Sequence, residues 1–163
     1  MVAHTPLVRR SADEQARMEQ GLVEFFENSV PFHRLLGFKV ESFTPDSSRV
    51  GLEIKPDIIG NPPHQRLHGG AIATILDAAG GFAICMGIAE KYCDEISEQL
   101  SARFARIGTI DLRVDYLRQG QGRRFVATAK VIRLGGRIAS TQMTLEAENG
   151  ELVATGAGSY VVS

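Results

Sequence analysis

At 163 residues, 44% of them hydrophobic, the chain is long enough for one well-filled domain and short for two. Its net charge of -1, with charged residues interspersed, marks neither a nucleic-acid-binding nor a membrane-surface protein. Two cysteines, Cys85 and Cys93, lack CxxC or zinc-ligand spacing and fit a reduced, cytoplasmic protein.

The first ten residues hold no apolar run, so no secretory leader is expected. Ser11-Ala-Asp-Glu14 has the spacing of a capping box, and Met18, Leu22, Phe25 and Phe26 recur at helical intervals. This predicts an N-terminal helix over 11–30 that stops before Pro31. A short turn, Phe32–Leu36, and Gly37 lead into strand-like sequence, where Val50, Leu52 and Ile54 alternate with Gly51, Glu53 and Lys55. A loop rich in breakers follows, Ile59–Leu67. Residues 68–90 are apolar on every side, as expected of a helix wrapped by other structure. Their Ala/Gly content, the central Asp77 and the lack of a second apolar stretch argue against a membrane span. An amphipathic helix is predicted over 92–105. The remainder reads as strand: Ile110–Leu117, Phe125–Leu134, Arg137–Glu146 and Leu152–Val162, split by glycine-containing turns.

One wrapped helix, strands before it and a four-strand meander after it predict an α+β fold in a single domain spanning 1–163. A curved antiparallel sheet would wrap the 68–90 helix. Such a sheet covers only part of that helix, and the bare face, with several Ala and Gly positions, calls for another subunit.

Asp77 is the only charged residue between His68 and Glu90. A carboxylate in a segment that must be buried costs several kcal/mol unless partnered, which makes Asp77 a functional-site candidate. A buried Asp satisfied by an arginine or a backbone amide is the alternative. Gly69 and Gly70, after His68, tip the balance. The first amides of a helix have no partner within it and sit at the positive end of its dipole, and glycine leaves them open to a ligand carbonyl. That arrangement suits an oxyanion hole for acyl transfer. Eight residues separate Gly69 from Asp77, about 12 Å along one helix, so one helix cannot easily bring both to one carbonyl. Two helices related by a two-fold axis can, with Gly69 of one chain facing Asp77 of the other.

Leu67-His-Gly-Gly-Ala-Ile-Ala-Thr-Ile-Leu-Asp77-Ala-Ala-Gly80 resembles the signature of the hotdog-fold acyl-CoA thioesterases of the phenylacetyl-CoA type. Pro31–Gly37 and Thr109–Arg118 agree with it, and the resemblance covers roughly Pro31 to Val162. The N-terminal helix and the Tyr92–Ile107 insertion look most like bacterial members acting on medium- and long-chain acyl-CoAs. The resemblance implies a hotdog fold and a homodimer with shared active sites, stacking further into a dimer of dimers. It implies Asp77 as general base or nucleophile and the Gly69 amide as oxyanion donor. His68 would orient the turn or polarise the thioester; a helix-start residue with a satisfied imidazole is the equal alternative. Asn61 corresponds to the polar loop residue that positions the water or carbonyl, though Pro62-Pro63 alters the spacing, and a turn asparagine is the other reading. Thr109 falls where relatives carry a hydroxyl beside the nucleophilic water, and an ordinary strand threonine fits the same position. Gln119 departs from the proline that commonly follows Leu-Arg.

Coenzyme A carries three phosphates, so cations should mark its site. Arg133 and Arg137, flanking Gly135-Gly136, come first, then Arg118, Arg123 and Arg124, with about two of the five expected to touch it. No cofactor or metal is expected, since HExxH, Walker and dinucleotide motifs are missing. The resemblance implies hydrolysis of an acyl-CoA substrate to acid and CoA. A non-catalytic acyl-CoA-binding protein is one rival, disfavoured by Asp77. A hotdog dehydratase or hydratase is the other; His33, His64 and His68 lack the spacing associated with it. The acyl group itself stays open.

Overall fold

Ser11 opens helix α1 (Ala12–Glu24), its hydroxyl accepting the Glu14 N–H at 3.2 Å. The computed structural model describes residues 8–163. Residues 1–7, most of the expected leaderless start and part of the expected single domain, lie outside them. Only half of the capping box forms. The Glu14 carboxylate turns away from Ser11 and accepts from Ser97 N–H at 2.7 Å and Ser97 Oγ at 2.5 Å. Two donors on one residue outcompete a single exposed amide.

The helix does not run regularly to residue 30. Residues Phe25–Ser29 form a π-turn, with Val30 N–H bonded to Phe25 O at 3.2 Å. That bond takes the amide Phe26 O would ordinarily meet, and the next residue, Pro31, has none to offer. His33 supplies the missing partner, its Nδ1 lying 3.0 Å from Phe26 O. The stretch expected as a turn is a short helix, α2 (Pro31–Leu36), with proline in its first turn and Gly37 at φ 79° closing it.

Strands β1 (Lys39–Thr44) and β2 (Ser47–Glu53) precede a small ribbon, β3 (Ile59–Asn61) with β4 (Arg66–Leu67). Helix α3 (Gly69–Lys91) follows, then α4 (Ser97–Phe104), β5 (Gly108–Tyr116), β6 (Arg124–Leu134), β7 (Ile138–Ala147) and β8 (Leu152–Val161). Helix α4 starts later than the expected residue 92, after a turn in which Glu95 N–H bonds Tyr92 O at 3.1 Å. The main sheet is antiparallel in the order β1-β2-β6-β7-β8-β5. The expected four-strand meander is therefore three strands, β6-β7-β8. Instead of pairing with β6, β5 crosses to the far edge and lies beside β8. The connection from β5 to β6 is held away from a hairpin by Gly120 O, which accepts Leu67 N–H at 2.8 Å.

Helix α3 packs chiefly on β6, β2 and β7, where Ala127, Ala129 and Val50 are fully buried. By length and composition alone α3 could cross a membrane, but two-thirds of its most apolar window is buried against this sheet and the flanking helices. The wrapping is incomplete, as expected of a sheet that covers only part of the helix. Gly69, Ala73, Asp77 and Gly81 stay half-buried, four residues apart along one stripe.

Candidate active site

Asp77 sits midway along that stripe, and two side chains from the sheet fix it. Thr109 Oγ1 donates to Asp77 Oδ1 at 2.9 Å. A bulge at Ile110, between the pairs Thr109–Tyr160 and Asp111–Ser159, resets the alternation of β5 just after Thr109. From β8, the buried Tyr160 hydroxyl donates to the Asp77 backbone carbonyl at 3.2 Å and is pushed to a higher pKa by burial and the nearby carboxylate. Tyr160 occupies the space a side chain at position 80 would need, which accounts for Gly80. No ion pair to Asp77 exists among the described residues. The reading of a buried acid locked to an arginine is not what the fold shows.

At the start of α3, His68 is the N-cap, its Nδ1 accepting the Gly70 N–H at 2.8 Å. The imidazole thus caps the helix, and acceptance at Nδ1 leaves Nε2 as the ring N–H of the neutral form. A side chain at 70 would press on this ring, with 3.0 Å from its Cβ to His68 Nδ1. Only one of the two glycine amides is consequently left: no hydrogen bond from Gly69 N–H is present among the described residues. Tyr116 reaches over from β5 and donates to Gly69 O at 2.9 Å. Asn61 lies on β3 beside this turn, paired in register with Arg66. Both carry a buried polar atom with no partner among the described residues, Asn61 Oδ1 and Arg66 Nε. Buried groups of this kind cost free energy unless something outside the protomer meets them.

The predicted residues therefore form two groups. Asp77 and Thr109 touch; His68, Gly69 and Asn61 gather about 12 Å up the same helix. The arginines are scattered. Arg118 lies on the connection that passes Leu67, and donates to Leu152 O at 3.0 Å beside Glu151. Arg123 faces Glu148, and Arg124 pairs with Glu41 at 2.6 Å. Arg133 and Arg137 are exposed at the opposite end of α3, where Lys91 Nζ approaches Gly135 O at 3.5 Å. No group of three or more His, Cys, Asp or Glu side chains converges among the described residues as a metal-ligand set would.

A cleft of about 530 Å³ opens beside Asp77. Its floor is α3, one wall is α1 with the π-turn, and the other is α4 running into β5. His33 lines it near Asp77, and burial holds the imidazole below the ordinary histidine pKa against the opposing pull of the Phe26 carbonyl and Asp77. Cys85, buried further along, is pushed up to about 12 and is not a ready nucleophile. His33, Arg66, Tyr116 and Tyr160 were not read from the sequence as site residues. Pro31, which removes the amide beside Phe26, was the one local clue to His33.

The sequence profile of the thioesterase superfamily matches residues 64–154, a stretch that holds His68, Gly69, Asp77 and Thr109. The chain belongs to the thioesterase superfamily. It is 39% identical over 140 residues to the medium/long-chain acyl-CoA thioesterase YigI of Escherichia coli, covering 85% of this chain and 90% of that one. Among solved structures, a protein of Shewanella oneidensis related to the thioesterase superfamily superposes with a TM-score of 0.86 at 42% identity, over 91% of this chain and 97% of that one. A single-residue mutant of the phenylacetic acid degradation protein PaaI from Thermus thermophilus gives 0.64 at 25% identity, over 82% and 99%. The expected α+β hotdog architecture is thus the observed one.

Proposed function

We propose that the protein hydrolyses medium- or long-chain acyl-CoA thioesters to the free acid and CoA, with Asp77 as the reacting acid. The observation that carries this reading is the placement of Asp77 on the floor of an apolar cleft, held by Thr109 and without a cationic partner among the described residues. The YigI similarity supports the substrate class.

In the proposed mechanism the thioester carbonyl oxygen accepts the Gly69 N–H at the positive end of α3. Asp77 takes a proton from water as the water oxygen attacks the carbonyl carbon. The tetrahedral intermediate collapses with cleavage of the C–S bond, and the proton returns to the CoA thiolate. In the alternative route Asp77 attacks directly, giving a mixed anhydride that water then opens. Single turnover in labelled water separates the two when water opens the anhydride at the Asp77 carboxyl carbon, because the acid then carries an unlabelled Asp77 oxygen. Thr109 orients the carboxylate through Oδ1, His68 shapes the turn, and Asn61 Oδ1 holds the water or the carbonyl's surroundings.

The same reading makes the working unit a homodimer in which Gly69 of one chain serves Asp77 of its partner. Support comes from the 12 Å separation, the half-buried stripe Gly69-Ala73-Asp77-Gly81, and the open edge of β5, where Ile110 (57%) and Tyr116 (54%) are exposed. Further pairing into tetramers, a cytoplasmic location and a single domain over 1–163 belong to this proposal as well. Of the arginines, Arg118 is the best placed for a CoA phosphate, because its connection runs past the start of α3. Release of CoA thiol from a panel of acyl-CoAs tests the function. No turnover of any member would sink the catalytic reading in favour of an acyl-CoA-binding protein, and hydration of enoyl-CoA would favour a hydratase.

A further inference from the structure

The cleft beside Asp77 has a feature that catalysis alone does not require. Both its floor and one wall carry a glycine whose side-chain position is open space. Gly81 lies one helical turn beyond Asp77 on α3, and Gly21 faces the cleft from α1. A Cβ built at either meets nothing within 4 Å. Elsewhere on α3 glycine has a packing reason: Gly80 gives way to Tyr160, and Gly70 to the His68 ring. Gly21 and Gly81 have no such neighbour. In a helix interior each costs roughly 1 kcal/mol relative to alanine, and nothing packed within the protomer accounts for it; Gly81 also lies on the stripe assigned above to the partner face, whereas Gly21 does not.

The shape of the cleft says what would use that space. From Asp77 through Gly81 to Cys85 the floor extends about 12 Å along α3. Phe26, Phe82, Leu22 and Phe104 make its sides apolar. The charged residues along it are Asp77 and, on the rim, Arg17, which is already paired with Glu14 at 2.9 Å. A run of that length, lined mainly by apolar side chains, suits an extended aliphatic chain better than a single aromatic ring. The roof is fastened: Ser97 on α4 is tied to Glu14 on α1, and Arg103 is clamped to Glu95 and stacked 3.5 Å above the Tyr92 ring. Helices α1 and α4 thus form two fixed walls.

We infer that the cleft between α1 and α4 is the acyl subsite, and that Gly81 and Gly21 set the length of straight acyl chain it accepts. This rests on the reading of Asp77 as the reacting acid. The chain enters at Asp77, passes over Gly81 and continues toward Cys85 between the two helices.

The test compares wild type with Gly81→Leu and Gly21→Leu on straight-chain acyl-CoAs from butyryl to stearoyl. Each methylene kept from the cleft costs about fourfold in kcat/KM, so a leucine side chain should lower the stearoyl-to-butyryl ratio by roughly 100-fold. The ratio is the readout because a general defect in folding or pairing moves both substrates together. Gly21→Leu, on a different helix, keeps the test alive should Gly81→Leu fail to fold. Unchanged ratios in the folded variants overturn the inference. A second arm, calorimetric titration with myristate, does not depend on turnover. If wild type hydrolyses nothing yet binds myristate, and the variants bind it at least tenfold more weakly, the acyl subsite stands and the hydrolase reading falls. If wild type neither hydrolyses acyl-CoA nor binds myristate, both fall.

Discussion

The two ends of helix α3 are treated oppositely. At its C-terminal end Arg10 Nη1 donates to Ala89 O at 3.0 Å and, just past the helix, to Tyr92 O at 3.3 Å, with Arg9 and Glu90 paired alongside at 2.6 Å. Residues 82–86 are buried without interruption. At its N-terminal end Gly69 N–H, Asn61 Oδ1 and Arg66 Nε lack partners among the described residues, and the half-buried stripe is exposed there. Arg10 Nε is a further buried atom without a partner, so the C-terminal end is not perfectly satisfied. The contrast still divides one helix into a half that holds the fold together and a half whose groups are left for something outside the protomer. In proteins, such residual hydrogen-bonding capacity marks where ligands or partners bind.

If that division is right, substitutions at the two ends should separate activity from stability. Asp77→Ala should lower kcat by about 10²- to 10⁴-fold, the range for a general base, while the thermal midpoint stays close to wild type. Loss of both together would merge the two halves. Gly69→Pro comes next. Proline is tolerated at a first helical position, His68 at φ -65° and ψ 136° already has the extended conformation a pre-proline residue needs, and the amide donor is replaced by a ring whose Cβ lies 3.4 Å from Tyr116 Cε1. About 10²- to 10³-fold in kcat should go with it, the cost of one oxyanion donor, measured as released CoA thiol. At the other end, Arg10→Ala should leave kcat within about twofold and destabilise by about 1.5–3 kcal/mol in urea unfolding, because charge-assisted bonds to two carbonyls are lost.

How much of this could be read from the residues follows the same division. Asp77, Gly69 and Gly70 stand out because their oddity is local: a carboxylate in an apolar run and two glycines at a helix start need no knowledge of what packs on them. A curved sheet around one helix is legible from one long apolar helix among alternating strands, and the hotdog fold from the resemblance carried by Leu67–Gly80. What stayed hidden depends on distant partners. Tyr160 finds Asp77 across 83 residues. The place of β5 beside β8 is a matter of how the chain crosses, which alternation along β5 does not encode. The two helices that wall the cleft are joined where Glu14 accepts from Ser97 instead of completing its own capping box. The π-turn at Phe25 reflects competition for the Val30 amide, and hydrophobic periodicity reads such a turn as continuing helix.

His33 gives the smallest effect and the sharpest check on that π-turn. Its pKa is lowered in the folded protein, chiefly by burial, so folding favours the neutral imidazole. The unfolded chain binds a proton as pH falls through about 6.5 while the folded one resists. Stability from this group is therefore full above that pH and declines below it. In His33→Gln that slope should flatten below about pH 6.5. Should glutamine fail to reach Phe26 O, the orphaned carbonyl would also cost about 1–3 kcal/mol at neutral pH.

The central claim is that each site joins Gly69 of one chain to Asp77 of another. Mixing inactive Gly69→Pro and Asp77→Asn chains in equal amounts, with unfolding and refolding to allow exchange, tests it most directly. Half of the dimers should then be hybrid, each with one intact pair of groups, and about a quarter of wild-type activity should return. Mixtures that refold to dimers, exchange subunits and remain as inactive as their parents would contradict it.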